Sequence, residues 1–286
     1  WVDLLSRGRL RPQAVDAHDL ALTGTLTPAD QVVVVSHRGT KRYPNLVLEQ
    51  AAQAGATSVL VTGHSDVVPA ADHVLRTCHQ ERSSTHTVSY TAALACLAEL
   101  VCAFLGPEAE PLRAVLPQVP PHMARTLAEP LSPRPVDVLV SAGGEPGVVA
   151  GTGLDAITAE EVALKLKEGT YRWIEGIHAE FALHGTPAVF RPGMAAYLIE
   201  PAVADGGRVA TLAGLLERLG ANVVHCGTDE RADLWFSPAP DLVRPFVNPL
   251  PFHRLVEAAA RVLGANPDKT HLDEEPWAQA FSGVTL

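Results

Sequence analysis

A chain of 286 residues has room for two domains of ordinary size, at ~100–200 residues each. Hydrophobic residues make up 47%, enough for a sizeable core, and 32 acids against 22 bases give a net charge of −10. That balance, with no basic run longer than two residues, excludes the basic face of a nucleic-acid binder, but not a small anion held by backbone N–H groups.

Trp1 already stands in an amphipathic helical pattern, so an earlier strand–turn–helix is expected before it. The four consecutive valines Val32–Val35 predict a strand buried on both faces, as in a parallel sheet. That strand ends at Ser36-His37-Arg38-Gly39-Thr40, and a helix over 44–54 follows, closed by Gly55. A second strand spans 58–62, a turn runs through Gly63-His64-Ser65-Asp66, and a short strand covers 73–77. An Ala/Leu/Cys-rich helix is predicted over 87–104. No stretch reaches ~18 uninterrupted apolar residues, so no membrane span is expected, and no signal peptide is visible. Cys78, Cys96, Cys102 and Cys226 form no CxxC pair, so neither a zinc site nor a thioredoxin-type motif is indicated. They read as small apolar residues of a cytoplasmic protein.

Eight prolines between 107 and 135 mark the expected interdomain connection, with 122–128 as a possible helix inside it. The expected domains are 1–115 and 116–286. In the second, a short strand over 147–150 leads through Gly151-Thr152-Gly153 to a helix over 158–167, capped by Thr158 with Glu161 three residues on. A strand over 195–199, a helix over 209–219 ended by Gly220, a strand over 222–226, a helix over 251–263 and an irregular tail to Leu286 complete the chain. Strand–helix alternation in both halves argues for α/β architecture with parallel sheets.

The segment from Glu161 to Gly185 carries the chemistry. Lys165 and Glu168 are three apart and share a helix face, which on spacing alone is a surface ion pair. His184, before Gly185, on the same grounds is a loop histidine. Twelve histidines include no HxxxH or HExxH pair, so no metal is expected. No G-x-S-x-G elbow surrounds Ser36, and the third glycine of a dinucleotide fingerprint is replaced by Ala156, so no cofactor is expected either.

EVALKLKE, followed by Glu175 and His184-Gly185, resembles the isomerase domain of glutamine–fructose-6-phosphate transaminase and its sugar-isomerase (SIS) relatives, whose pattern runs GALKLKE…AE…HGP. Glu161, Lys165, Lys167, Glu168, Glu175, His184 and Gly185 match without a gap, and Gly151-Thr152-Gly153 stands at the family's distance upstream. In the first half, the family's SxSGxT phosphate loop matches at Ser36 and Gly39, with Arg38 and Lys41 in place of hydroxyl residues. Its E-x4-ST-K segment matches at Glu81 and Thr87, with His86 and Val88 replacing serine and lysine.

The resemblance implies two tandem SIS-type three-layer αβα halves, each with a parallel sheet of about five strands. It implies a sugar-phosphate isomerase or deaminase acting on an amino-sugar or ketosamine 6-phosphate, or a non-catalytic sugar-phosphate-binding protein. Glu168 matches the base that shuttles a proton between adjacent sugar carbons, His184 the ring-opening group that reaches in from a neighbouring subunit, and Lys165 a supporting lysine. Ser36, Arg38, Gly39, Thr40, Glu81, His86 and Thr87 match the phosphate and sugar-binding positions. A homodimer is implied. The family's transaminase members end in RNLAKSVTVE; the lysine position is Phe281 here, which removes Schiff-base ring opening and brings the chain closer to deaminases and deglycases.

Overall fold

The structure is a computed structural model that describes residues 1–67 and 70–284. Two compact units emerge: Trp1–Arg113 joined by the tail from Leu272 onward, and Ala114–His271. The tail therefore groups with the first unit, not with the second as expected, and nothing in its composition marks where it docks.

The first unit runs α1 (Val2–Leu5), α2 (Ala17–Thr23), β1 (Gln31–Val35), α3 (Arg42–Ala54), β2 (Thr57–His64), β3 (His73–His79) and α4 (Thr87–Leu105). Its strands are all parallel in the order β1-β2-β3, with Val34 opposite Leu60 and Leu60 opposite Val74. Val34 and Leu60 bury one face against Ala21 of α2 and Val47 and Leu48 of α3. Gly55, at φ +70°, ends α3 in the left-handed conformation that a side chain would resist.

Two expectations fail in this unit. Among the described residues its sheet has three strands, not about five. The valine strand is buried on one face only: Val33 is 45% and Val35 52% exposed, because β1 is the edge strand and its second face is uncovered. A run of identical apolar residues cannot distinguish a two-sided strand from an edge strand. The helical stretch Thr87–Ala128 contains a window long and apolar enough to cross a membrane, since Ser89, Tyr90 and Glu99 interrupt the apolar run without lowering its hydropathy much. In this structure α4 packs on β2 and β3, burying Ser89, Ala98, Cys102 and Leu105.

The two units divide after Arg113, inside the proline-rich stretch, which is helical beyond the 122–128 segment expected to be so. It holds α5 (Glu110–Val115), α6 (Val119–Ala128) and the start of α7 (Pro133–Ser141). Pro107, Pro117, Pro120 and Pro133 lie in first turns, where a missing N–H costs no hydrogen bond.

The second unit continues with β4 (Gly147–Gly151), α8 (Leu154–Thr170), β5 (Ile174–His178), α9 (Ala179–Ala182), β6 (Ala195–Ile199), α10 (Arg208–Arg218), β7 (Asn222–Gly227), β8 (Leu234–Trp235), α11 (Arg244–Val247) and α12 (Leu250–Leu263). Its five strands are parallel in the order β5-β4-β6-β7-β8. Val148, Ala150, Ala196 and Leu198 meet α9 and α10 on one face. On the other face α8 covers β4 and β5, while Tyr197 meets the ring of Phe252 on α12 and donates to Pro135 O at 2.9 Å. The result is a three-layer αβα unit. The tail carries one further short helix, α13 (Trp277–Phe281).

Helix α8 begins four residues earlier than expected. The turn Gly151-Thr152-Gly153 opens it directly, with Gly153 at φ +55°, Asp155 N donating to Thr152 O and Ala156 N to Gly153 O. Thr158 is therefore no cap; it is buried inside the helix and donates to Asn248 Oδ1 at 3.2 Å. Gly176 lets α8 lie tightly on β5, since a Cβ there would stand 2.3 Å from Glu160 Cα.

Candidate functional site

Each unit gathers part of the expected site at its own sheet. In the first unit the relevant edge is the carboxyl end of β1, β2 and β3. Ser36 is the first residue past β1; its Oγ is buried with no hydrogen-bond partner among the described residues. Gly39 is buried at φ +68° and donates its N–H to Ser36 O, while Arg38 and Thr40 are exposed. Directly after them α3 starts, its N-cap Lys41 making no side-chain cap. The first-turn N–H groups of α3 are thus without a capping side chain, with Arg38 and Lys41 beside them, as an anion site requires.

Glu81, His86 and Thr87 meet one another at the start of α4. Glu81 Oε1 accepts from Thr87 N (2.9 Å), Thr87 Oγ1 (3.2 Å) and Val88 N (3.1 Å), and Oε2 from Ser89 N (2.9 Å) and Ser89 Oγ (2.7 Å). His86, at φ +48°, holds Nδ1 4.0 Å from Glu81 Oε2. Burial raises the Glu81 pKa, but donors from Ser89, Val88 and Thr87 outweigh it and hold the carboxyl down at about 2. A carboxylate therefore already fills this helix N-terminus.

In the second unit, α8 carries the cluster that spacing alone read as a surface pair. Lys165 Nζ donates to Glu168 Oε2 at 3.0 Å and stands 3.5 Å from Glu161 Oε1. This is not a surface pair: the Lys165 side chain is 5% exposed, Glu161 16% and Glu168 27%. Glu161 is the member that spacing undervalued. Its Oε1 is buried with no polar partner closer than the 3.5 Å Lys165 ammonium, and burial raises its pKa against the pull of Lys165. Two carboxylates thus share one buried ammonium.

His184 is exposed and takes part in a different group: its Nε2 lies 2.8 Å from Glu180 Oε1, and Arg208 Nε donates to Glu180 Oε2. The hydrogen bonds from His184 and Arg208 lower the Glu180 pKa. Glu175, matched in sequence, is an exposed residue of β5, and Glu180 was not singled out. The topology keeps His184 from Glu168 within one chain. Helix α8 starts at the carboxyl end of β4 and ends at the amino end of β5, putting Glu168 about 20 Å along its axis, whereas His184 follows the carboxyl end of β5.

The sheet order reverses between β4 and β6, where open α/β sheets place ligands. Here that crevice is filled internally. Asp155 accepts from Asn248 Nδ2 (2.8 Å), Ala202 N (3.0 Å) and Arg244 Nε (3.3 Å), and Arg244 Nη2 donates to Glu200 O at 2.5 Å. Beside it a cleft of about 660 Å³, lined by Glu200, Asp205, Glu217, Asp229 and others, contains none of the expected site residues, and its carboxylates repel a phosphate. Among the described residues no cluster of His, Cys, Asp and Glu is placed to hold a metal.

The fold is that of the sugar-isomerase (SIS) proteins, with parallel sheets in an α/β architecture. Glucosamine-6-phosphate deaminase of Thermotoga maritima matches at a TM-score of 0.75 and 19% identity, over 94% of this chain and 81% of that one. The C-terminal domain of glucosamine-fructose-6-phosphate aminotransferase of Francisella tularensis matches at 0.78 and 17%, over 94% and 80%. Tagatose-6-phosphate ketose/aldose isomerase of Escherichia coli matches at 0.72 and 18%, over 97% and 80%. No protein-family model and no curated protein matches the sequence.

Proposed function

We propose that this chain is a phosphosugar isomerase or deaminase-type enzyme acting on an amino-sugar or ketosamine 6-phosphate. The observation that carries the reading is the Glu161–Lys165–Glu168 cluster on α8 of a SIS fold: a carboxylate still open to solvent, held by a buried ammonium. Glu168 removes the proton from the carbon next to the carbonyl or imine of the open-chain sugar. The electron pair passes into an enediol or enolamine, and the same carboxyl returns the proton to the neighbouring carbon; from an enolamine this gives an imine, to which water adds before ammonia leaves. Lys165 orients that carboxylate through its 3.0 Å contact. The phosphate lies at the Ser36–Thr40 turn, held by Ser36 Oγ, the Thr40 N–H, Arg38, Lys41 and the start of α3, with Gly39 shaping the turn and His86 on the sugar side. Glu81 and Thr87, engaged with one another, shape this site as a helix cap. Because Glu168 and His184 lie at opposite ends of their own sheet, His184 of a second copy completes the site, and the working form is a homodimer.

Parent and Glu168→Gln proteins assayed for ammonia release from glucosamine 6-phosphate and for aldose–ketose interconversion of hexose 6-phosphates test the reading. A loss of ~100-fold or more is expected on substitution; equal turnover removes Glu168 from the chemistry. The altered phosphate turn and Phe281 favour a second reading, a sugar-phosphate-binding protein without turnover. Thermal stabilisation growing as RT ln(1 + [L]/Kd), with no product formed, supports that alternative.

A further inference from the structure

His37, the residue of the anion turn that no motif singles out, is fastened at four points. Its carbonyl oxygen accepts from Gly63 N (2.8 Å), Gln80 Nε2 (3.0 Å) and Thr62 Oγ1 (3.1 Å). Its ring Nε2 accepts from Glu81 N at 3.2 Å. A backbone N–H can only donate, so Nε2 carries a lone pair and the neutral ring bears its proton on Nδ1. The Nδ1 edge is turned toward Gly63, where a Cβ would stand 2.8 Å from His37 Cε1, 3.0 Å from Nδ1 and 2.8 Å from Gln80 Nε2, so the ring and the Gln80 amide together leave room only for glycine there. The charged and titratable groups that face it are Arg38 from its own turn, Glu81 from the segment after β3, and His86, whose ring stands edge-on at 5.3 Å. Burial lowers the His37 pKa, with Arg38 acting in the same sense and Glu81 against it, so the neutral acceptor state fits neutral pH.

We propose that His37 is a positioning residue: as a neutral ring it ties the phosphate-binding turn to the segment that caps α4, and it makes no contact with the phosphate itself. The proposal rests on the reading of the Ser36–Thr40 turn as the phosphate site. It has a sign that separates it from direct ligation. A histidine that touched the phosphate would strengthen binding on protonation. A histidine that accepts from Glu81 N loses that bond on protonation, which loosens the tie between the turn and the α4 cap while the three carbonyl bonds remain, and weakens binding.

The test uses the full chain. Nitrogen-15 histidine spectra report the tautomer, amide exchange reports Glu81 N–H, and titration with glucosamine 6-phosphate from pH 8 to 5.5 compares the parent with His37→Gln and His37→Phe. Glutamine keeps an acceptor without a titrating ring, and the parent-to-glutamine ratio cancels protonation of the probe. The expected results are an Nδ1–H tautomer, parent-like binding by His37→Gln at pH 7.5, and a roughly fivefold loss for His37→Phe. The parent should then lose affinity relative to His37→Gln as pH falls. An Nε2–H tautomer, undiminished binding by His37→Phe, or a parent that gains on acidification overturns the proposal. A parent that binds no probe at millimolar concentration sinks the phosphate reading of the turn instead. The clamp is then decided by Glu81 amide exchange, which His37→Phe must speed about fivefold and His37→Gln must not.

Discussion

Substituting Glu81 by glutamine removes the charge that closes the start of α4. Five donors converge on the carboxylate: three backbone N–H groups and the hydroxyls of Thr87 and Ser89. A glutamine oxygen can serve the three on the Oε1 side, but its NH₂ then faces Ser89 N–H, two donors with no acceptor between them. The scale follows from linkage. Holding a carboxyl with an ordinary value of 4.5 down at about 2 corresponds to about 3 kcal/mol favouring the folded, ionised form. The folded value is depressed, so this contribution is complete above 4.5 and disappears as pH falls from 4.5 towards 2. Glu81→Gln should therefore lower stability by about 2–3 kcal/mol at pH 7, a shift of the urea midpoint of roughly 1 M for a slope of about 3 kcal/mol/M. The gap to the parent should narrow to about a quarter of its pH 7 value on titration to pH 2.5. Urea unfolding followed by circular dichroism at pH 7, 4 and 2.5 reads both. A constant gap across that range, or no gap at pH 7, refutes the charged-cap account.

Other substitutions probe the second unit. Lys165→Met leaves Glu161 and Glu168 without their shared cation and should destabilise by about 3 kcal/mol in chemical denaturation; adding Glu161→Gln should restore at least half. Arg244→Met strands the buried Asp155 carboxyl at the sheet's switch point, with an expected cost of about 3–5 kcal/mol, much reduced in the Asp155→Asn/Arg244→Met double variant. Gly176→Ala forces β5 from the backbone of α8; a lowered melting temperature equivalent to about 2 kcal/mol is expected, and an unchanged one contradicts the close packing.

Much of the architecture was legible because local signals and tertiary outcome agreed. The strand over Ala195–Ile199, the helix ends at Gly55 and Gly220, and the long helix from Thr87 follow from apolar runs bounded by glycines and polar turns. What local pattern could not supply was the surroundings. Val33 and Val35 look like core residues but lie on an uncovered edge, and the prolines between 107 and 135, which mark where the units divide, also open helices that their composition did not announce. Lys165 and Glu168 were found by spacing and resemblance, yet their burial was not, nor the desolvated Glu161 beside them. Pairs remote in sequence stayed hidden altogether: His37 with Glu81, and Asp155 with Arg244. Glu180, between His184 and Arg208, carried a helical i,i+4 signal to His184 that could have been read.

Solvent-deuterium incorporation tests the central claim most directly. Parent and Glu168→Gln proteins are incubated in D₂O with glucosamine 6-phosphate and fructose 6-phosphate, and the carbons next to the carbonyl are followed by proton NMR. The account predicts deuterium entering at C1 or C2 with the parent and none with Glu168→Gln, even where no net product accumulates. Exchange that persists undiminished in Glu168→Gln, or a parent that binds these sugars yet exchanges nothing, contradicts it.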